Sequence, residues 1–310
     1  MTPWLSIVIV NWNAAEALRR CLAALRPEAA TDVEVVIVDN GSTDNSVSAA
    51  RAAWPEAVQV CLPTNQGFAA GCNRGLAVAR GTWVLTLNND TEVQPGFLTA
   101  LRAAAEAADD DVGMLQPRVI LAGRGRLNST GVVVHRDGSA HDRDFDAPLG
   151  ARPEADEILC VTAGAGLYRR TMLDAVRVDG AWFDPSYFMY FEDVDLGWRG
   201  RLMGWRAGYL PQASVEHVFQ GTSRRHGRHF VTIQCMRNRV RTLLKNASWR
   251  MIARSLPRSA SDLLWLLQHA GGRALAEWTL AVRDGLAQRG AVGRRATLDR
   301  RAVERRWVLP

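Results

Sequence analysis

The 310-residue sequence predicts an α/β fold, a mostly parallel sheet flanked by helices and followed by a helical, basic C-terminal extension. Three observations lead there. Strand-like and helix-like segments alternate through roughly the first 110 residues. The strand-like segments are short, β-branched and almost wholly apolar, as strands covered on both faces are. Charge also divides along the chain: residues 1–220 carry 19 Arg/Lys and 27 Asp/Glu, whereas residues 221–310 carry 19 and 5.

The strands are expected at 5–10 (LSIVIV), 33–39 (VEVVIVD), 57–62 (AVQVCL) and 82–87 (TWVLTL), with helices at 14–26, 44–54, 67–79 and 95–107. Strand, helix and strand repeated in this way give a parallel sheet with helices on both sides. Residues 112–160 read as irregular and β-rich, and their HDRDFD stretch (141–146) as a solvated loop or hairpin rather than a metal cluster. A turn into a helix is expected over 162–176 and another helix over 191–205, with strands over 206–219. Helices at 228–247, 250–268 and 272–289 complete the reading, with a strongly apolar face at Leu263–Leu267. The domain division that follows is a body over 1–225, with halves 1–110 and 111–225, and a helical, Arg-rich region over 226–310.

Composition narrows the class. Hydrophobic content of 47% with 23% charged residues is that of a globular chain with a sizeable core. Five widely spaced cysteines without a C-x-x-C pair fit a reducing compartment and buried thiols, not a disulfide framework or a zinc site. No leader and no apolar run of membrane-spanning length is visible, so a cytoplasmic protein is expected. The basic tail calls for an anionic partner. No nucleic-acid motif accompanies it, which leaves the inner face of the plasma membrane, touched peripherally by an Arg-rich amphipathic helix. The apolar face at 263–267 equally suits a homo-oligomer contact.

Ligands of such sheets bind at the carboxyl ends of the strands, and these ends are polar here. The first is followed by NWN (11–13), with no glycine before Gly41, which excludes a dinucleotide-binding glycine turn; a P-loop is absent too. The second ends in VDNGSTDNS (38–46), where Asn-Gly makes a tight turn and Ser42, Thr43 or Asp44 caps a helix. An acid at the strand tip, Asp39, suits the imide N–H of uracil or thymine. The third leads into PTNQGFAAGCNRG (63–75), whose small residues allow close backbone approach to a ligand. The fourth ends in Asn88, Asn89 and Asp90.

Taken in order, SIVIVNWN, VDNGSTDNS, NQGFAAGCNRG, LNNDTEV, GAGLYRR, YFMYFEDVDLGWRGRLMGWR and EHVFQGTS resemble the inverting glycosyltransferases of family 2, and most of all the bacterial rhamnosyltransferase-like branch. The resemblance covers about residues 4–240. It implies a GT-A (Rossmann-like) fold and transfer of a sugar from a nucleoside diphosphate, dTDP- or UDP-linked, to a hydroxyl of a glycan or lipid-linked acceptor. The donor suggested by this branch is dTDP-rhamnose, and the setting cell-wall or surface polysaccharide synthesis. A fold-alike that binds nucleotide sugars or glycans without catalysis is the alternative.

By resemblance, Asn11 and Asp39 line the nucleotide pocket, Asn65 and Arg74 lie near base or ribose, and Asn88 and Asn89 orient ribose, sugar hydroxyls or water. Asp90 is the one direct carboxylate for a divalent metal, Mg²⁺ or Mn²⁺, and His217 adds a ligand; imidazole suits Mn²⁺ better. In FEDVDL, Asp193 is the general base and Glu192 its partner on acceptor hydroxyls. At a helix start these two side chains diverge by about 100°. The helix terminus lowers their pKa and the neighbouring acids raise it. Asp195 and Trp182 are expected at the acceptor or sugar, Trp182 because a loop-like aromatic just before the acids offers a stacking face. Arg224 and Arg225 belong to a basic stretch suited to closing over the diphosphate.

Overall fold

The computed structural model describes residues 2–218 and 223–310, and the side chains of all of these except 223–226. Four parallel strands come first: β1 (Leu5–Asn11), β2 (Val33–Asp39), β3 (Val58–Cys61) and β4 (Trp83–Asn88). They are linked by α1 (Ala15–Leu25), α2 (Ser46–Ala53) and α3 (Phe68–Val78). β1 is buried almost throughout, as its apolar run requires. β3 is half-exposed despite a similar sequence, because it is the edge of the sheet.

After β4 the chain makes a short β5 (Thr91–Val93), then α4 (Phe97–Ala107) and the long β6 (Val112–Leu121). β7 (Arg126–Ser129) folds back on β6, and β8 (Val132–His135) with β9 (Ala140–Asp142) forms a small hairpin. Next come β10 (Ala165–Arg169), α5 (Arg170–Ala175), α6 (Glu192–Leu202) and β11 (Arg206–His217). The main sheet runs β3-β2-β1-β4-β10-β6-β11-β5, with β10 antiparallel to both β4 and β6.

Two expectations change. GAGLYRR is not a turn into a helix but β10: it fills the gap between β4 and β6, and the helix shrinks to α5. The glycines of AAGCNRG serve packing rather than ligand approach. A Cβ on Gly75 would stand 2.3 Å from Val8 Cγ1, and one on Gly71 2.7 Å from Val10 Cγ1, so α3 lies close on β1 only because they are glycine. RAGYLPQASVEH, by contrast, is strand as expected, a single β11 with its register shifted between Leu210 and Ser214.

Four helices follow: α7 (Ser223–Asn246, broken at Gly227), α8 (Trp249–His269), α9 (Gly271–Arg295) and α10 (Arg300–Trp307). They share a core with the preceding half, in which Leu243, Met251, Val292 and Val303 pack with Val132, Val194 and Trp198. A last strand, β12 (Val308–Leu309), lies parallel to β8. The change at residue 225 is therefore one of composition, not a break in packing.

Candidate active site

The carboxyl ends of the central strands open into a cavity of about 400 Å³. Of the expected residues, Asn65, Asn88, Asn89, Asp90, Glu192, Asp193 and His217 all stand on its wall. They come from opposite ends of the sequence because β5 and β11 pair antiparallel, with Thr91 opposite His217. The Val218 N–H donates to the Asp90 carbonyl at 3.0 Å and closes this corner.

Asp90 Oδ1 lies 3.3 Å from His217 Nε2. His217 Nδ1 lies 2.6 Å from Asn128 Oδ1, an acceptor, which places the imidazole proton on Nδ1. His217 Nε2 then faces a carboxylate oxygen. Lone pairs so placed repel unless a cation, proton or metal, lies between or beside them. The chemistry of this corner thus fits a divalent cation, and Asn128 orients the imidazole as partners of metal-binding histidines do. Among the described residues no third His, Cys, Asp or Glu joins the pair. The rest of a coordination shell would come from diphosphate oxygens and water.

The wall at the tips of β2 and β3 is built from asparagines. Asn40 Nδ2 donates to Asn65 Oδ1 (3.0 Å) and to the Gly67 carbonyl (3.1 Å), and Asn40 Oδ1 accepts from the Gln66 N–H (2.9 Å). This locks the loop after β3 against the tip of β2. Asp39 Oδ2 accepts from the Ser42 N–H, while Oδ1 is buried without a hydrogen-bond partner. A buried orphan acceptor is costly, and a base N–H is the kind of donor that would satisfy it, but Asp39, like Asn11, is absent from the cavity wall. Asn11 is not on the wall: it is 1% exposed, accepts from Asn89 Nδ2 at 2.6 Å, and so holds Asn89 from behind.

The acid pair opens α6. Asp193 Oδ2 accepts from the Ala163 N–H (3.1 Å) and Oδ1 from its neighbour Val194 (2.8 Å), whereas Glu192 Oε2 is buried and unpartnered. Burial, then the charge of Asp193, push the Glu192 carboxyl well above the usual range. Burial also raises Asp193, against its backbone N–H donors. Burial thus outweighs the helix terminus, and the backbone donors favour leaving the shared negative charge on Asp193.

Five expected placements are corrected. Asp195 is fully buried, bonded to Arg199 Nε (2.9 Å), Lys245 Nζ (3.0 Å) and Asn246 Nδ2 (2.9 Å), so it holds helices together rather than meeting a sugar. Trp182 turns away from the cavity: its indole N–H donates to Asp174 (3.0 Å) and Arg177 covers its ring at 4.5 Å. Arg74 lies on the exposed face of α3, off the wall. The fourth and fifth are Asn11, one layer behind the pocket, and Asp39, off its wall. The side chains of the expected diphosphate contacts Arg224 and Arg225 lie outside those described. Aromatic faces on the wall come instead from Trp12, Phe68, Phe188, Tyr190 and Phe191.

The sequence reading missed one wall entirely. Asn128, Ser129, His141 and Asp142, from β7 and β9, face the acid pair across the cavity. Burial pushes the Asp142 carboxyl up to about 6, against a hydrogen bond with Ser129. HDRDFD thus begins in the β8–β9 hairpin, the second of its two expected forms. Its first two residues end a strand, a placement that the short VVVH and AHD runs around a glycine turn signal in retrospect.

A profile described as "Glycosyl transferase family 2" matches residues 6–177, and the chain belongs to that family. Its fold is GT-A. It is similar to the N-acetylglucosaminyl-diphospho-decaprenol L-rhamnosyltransferase of Mycobacterium tuberculosis (strain H37Rv), with 28% identity over 250 residues, 70% of this chain and 76% of that one. Among solved structures it superposes on the mannosyltransferase PcManGT from Pyrobaculum calidifontis, in complex with GDP-Man and Mn²⁺, at a TM-score of 0.55 and 18% identity, covering 99% of this chain and 88% of that one. It also superposes on GalNAc-T7 with UDP, GalNAc and Mn²⁺, at 0.64 and 16%, covering 83% and 51%. The protein is thus a family 2 glycosyltransferase.

Proposed function

We propose that this glycosyltransferase works with inversion, with Asp193 as general base. The observation that carries the reading is the convergence of Glu192 and Asp193 with the Asp90–His217 corner on one cavity wall. In a single in-line step the acceptor hydroxyl gives its proton to Asp193 and its oxygen bonds to the anomeric carbon. The bond from that carbon to the diphosphate oxygen breaks, and its electron pair leaves with the diphosphate. Glu192, its carboxyl raised by burial and by the charge of Asp193, hydrogen-bonds the acceptor and leaves the negative charge to Asp193. Two neighbouring carboxyls in different surroundings divide acid and base roles in this way. Asp90 and His217 would hold a divalent cation, which when bound would neutralise charge developing on the leaving diphosphate.

The orphan oxygen of Asp39 supports a uracil or thymine base, and the mycobacterial relative's name supports a rhamnose donor and a lipid-linked acceptor. The acid pair on the wall speaks against a binding-only protein. Contact with a membrane surface is supported by α8, which exposes Trp249, Leu256, Leu264 and Leu267 with Arg250 and Arg254 alongside. Among the described residues no helix is long and apolar enough to cross a bilayer.

The test is a panel of dTDP-, UDP- and GDP-sugars scored by thermal shift and by nucleotide release, with Mn²⁺, Mg²⁺ or EDTA. The expected result is a rise in midpoint and turnover with a dTDP- or UDP-sugar. Mn²⁺ should bind weakly alone and more tightly with the nucleoside diphosphate, because the protein supplies few ligands of its own. Equal Mn²⁺ affinity with and without diphosphate would contradict the shared site.

A further inference from the structure

The segment that delivers the acid pair is bent in a way its sequence does not favour. Among the described residues seven non-glycine residues have positive φ, and three of them, Phe188, Tyr190 and Phe191, fall directly before Glu192. Phe188 (φ 62, ψ −65) is the centre of a tight turn in which the Met189 N–H donates to the Tyr187 carbonyl at 2.7 Å. Such turns are rare and strained, and persist only where the surroundings over-determine them. Tyr190 and Phe191 occupy the left-handed region without being glycine, asparagine or aspartate.

Among the described residues the segment is held by the Ala69 N–H on the Phe188 carbonyl, by Arg237 on the Tyr187 carbonyl, and by Asn238 of α7, which alone reaches three of its carbonyls. Asn238 is fully buried and absent from the cavity wall. The two hydrogens of its Nδ2 are shared among three carbonyls of the bend, those of Tyr187 (2.9 Å), Met189 (2.9 Å) and Tyr190 (2.8 Å). Its Oδ1 accepts from Arg237 Nε (3.2 Å) and Arg241 Nη1 (3.3 Å), which fixes the direction of the amide. On the opposite side, Gly67 gives the bend room: a Cβ there would stand 2.5 Å from the Phe188 ring. The amide is thus the hub between the C-terminal helices and the catalytic segment.

We propose that Asn238 is a positioning residue, which sets Glu192 and Asp193 against the Asp90–His217 corner by clamping the strained backbone of residues 187–190. This rests on the reading that the acid pair performs the transfer. It gives the C-terminal helices a share in catalysis that their lack of a motif conceals.

The experiment compares Asn238→Ala and Asn238→Ser with the unaltered chain. Hydrogen-exchange mass spectrometry follows peptides covering residues 185–194, titration gives UDP and dTDP affinity with Mn²⁺, and the donor panel gives turnover. Thr242→Val serves as control: it removes the 2.8 Å bond to the Tyr187 hydroxyl and the 2.9 Å bond to the Asn238 carbonyl, and leaves the Asn238 amide and the backbone carbonyls it binds in place. Amides of residues 188–193 should exchange at least tenfold faster in Asn238→Ala and less so in Asn238→Ser, which keeps a short donor. The rate constant kcat should fall at least thirtyfold in the Ala variant with nucleotide affinity within twofold. The acidic limb of the pH–rate profile should move to lower pH as water reaches the carboxyls. Thr242→Val should lower the unfolding midpoint and leave kcat and this exchange unchanged. Unchanged exchange at 188–193, protection lost uniformly over α7–α9, or the same losses in Thr242→Val would overturn the proposal. If Asn238→Ala fails to fold, the Ser variant decides by the same criteria. A wild-type chain without turnover would refute the transfer reading alone, and the exchange measurements would still judge the clamp.

Discussion

Glu192 and Asp193 are neighbours in sequence, yet what their oxygens touch sets them apart. Asp193 meets two backbone N–H groups; Glu192 Oε2 meets none. A carboxyl whose folded pKa lies above its unfolded value of about 4.3 destabilises the fold as pH rises through that interval. Glu192→Gln should therefore match the parent chain near pH 4 and unfold at a higher temperature at pH 7–8. The gain should be about 2–4 °C for each kcal/mol relieved. Scanning fluorimetry across pH 4–9 checks this, and coincident midpoints at every pH would contradict it. That Asp90 and the acid pair would stand on one cavity wall was legible in the sequence, since an acid at a strand tip or helix start has few structural reasons to be there; Asp39, read by the same rule, lies off the wall. Asn128 and Asp142 were not, because a strand register places them, and nothing local in NST or AHD marks a cavity wall. Trp182 and Asp195 misled for the converse reason: a loop aromatic and a helix acid look alike whether they face a ligand or a buried arginine.

At the scale of elements, the acid-bearing α6 is fastened to α7 by buried ions. Lys245 is fully buried, with Nζ 3.0 Å from both Asp184 and Asp195. Burial pushes Asp184 up, but Lys245 and Ser186 outweigh it and hold that carboxyl well below the usual range. Removing the cation strands two carboxylates, so Lys245→Met should cost about 3–5 kcal/mol at neutral pH. The depressed carboxyl contributes stability above its unfolded pKa of about 3.9 and loses it as pH falls. The penalty should accordingly shrink below about pH 4. Denaturant unfolding at pH 7 and pH 3.5 measures both, and a cost under about 1 kcal/mol at pH 7 would contradict the account. The first four strands and their helices were readable because their apolar runs are bounded by turn residues. GAGLYRR was not, because a strand inserted antiparallel between β4 and β6 is a tertiary choice, and six residues of helix follow it directly.

Over the whole molecule, the acidic body and basic tail of the sequence become one packed unit, with the positive charge gathered on its C-terminal helices. The only acid of α8 is Asp262, which is buried against Arg239 and Arg258, so the outer face of this helix offers arginine beside exposed apolar residues. Such a face suits an anionic bilayer. The chain should sediment with phosphatidylglycerol vesicles at low salt and not with phosphatidylcholine, and Arg250→Ser with Arg254→Ser should weaken this severalfold. A concentration-dependent dimer with no vesicle binding would assign the face to a second copy instead. The central claim is narrower: one carboxylate on the cavity wall takes the acceptor's proton. Turnover by Asp193→Asn, measured with the donor that the wild-type chain accepts, tests it most directly. The account predicts a loss of about 10²–10⁴ in kcat with UDP or dTDP affinity within twofold; near-normal turnover would contradict it.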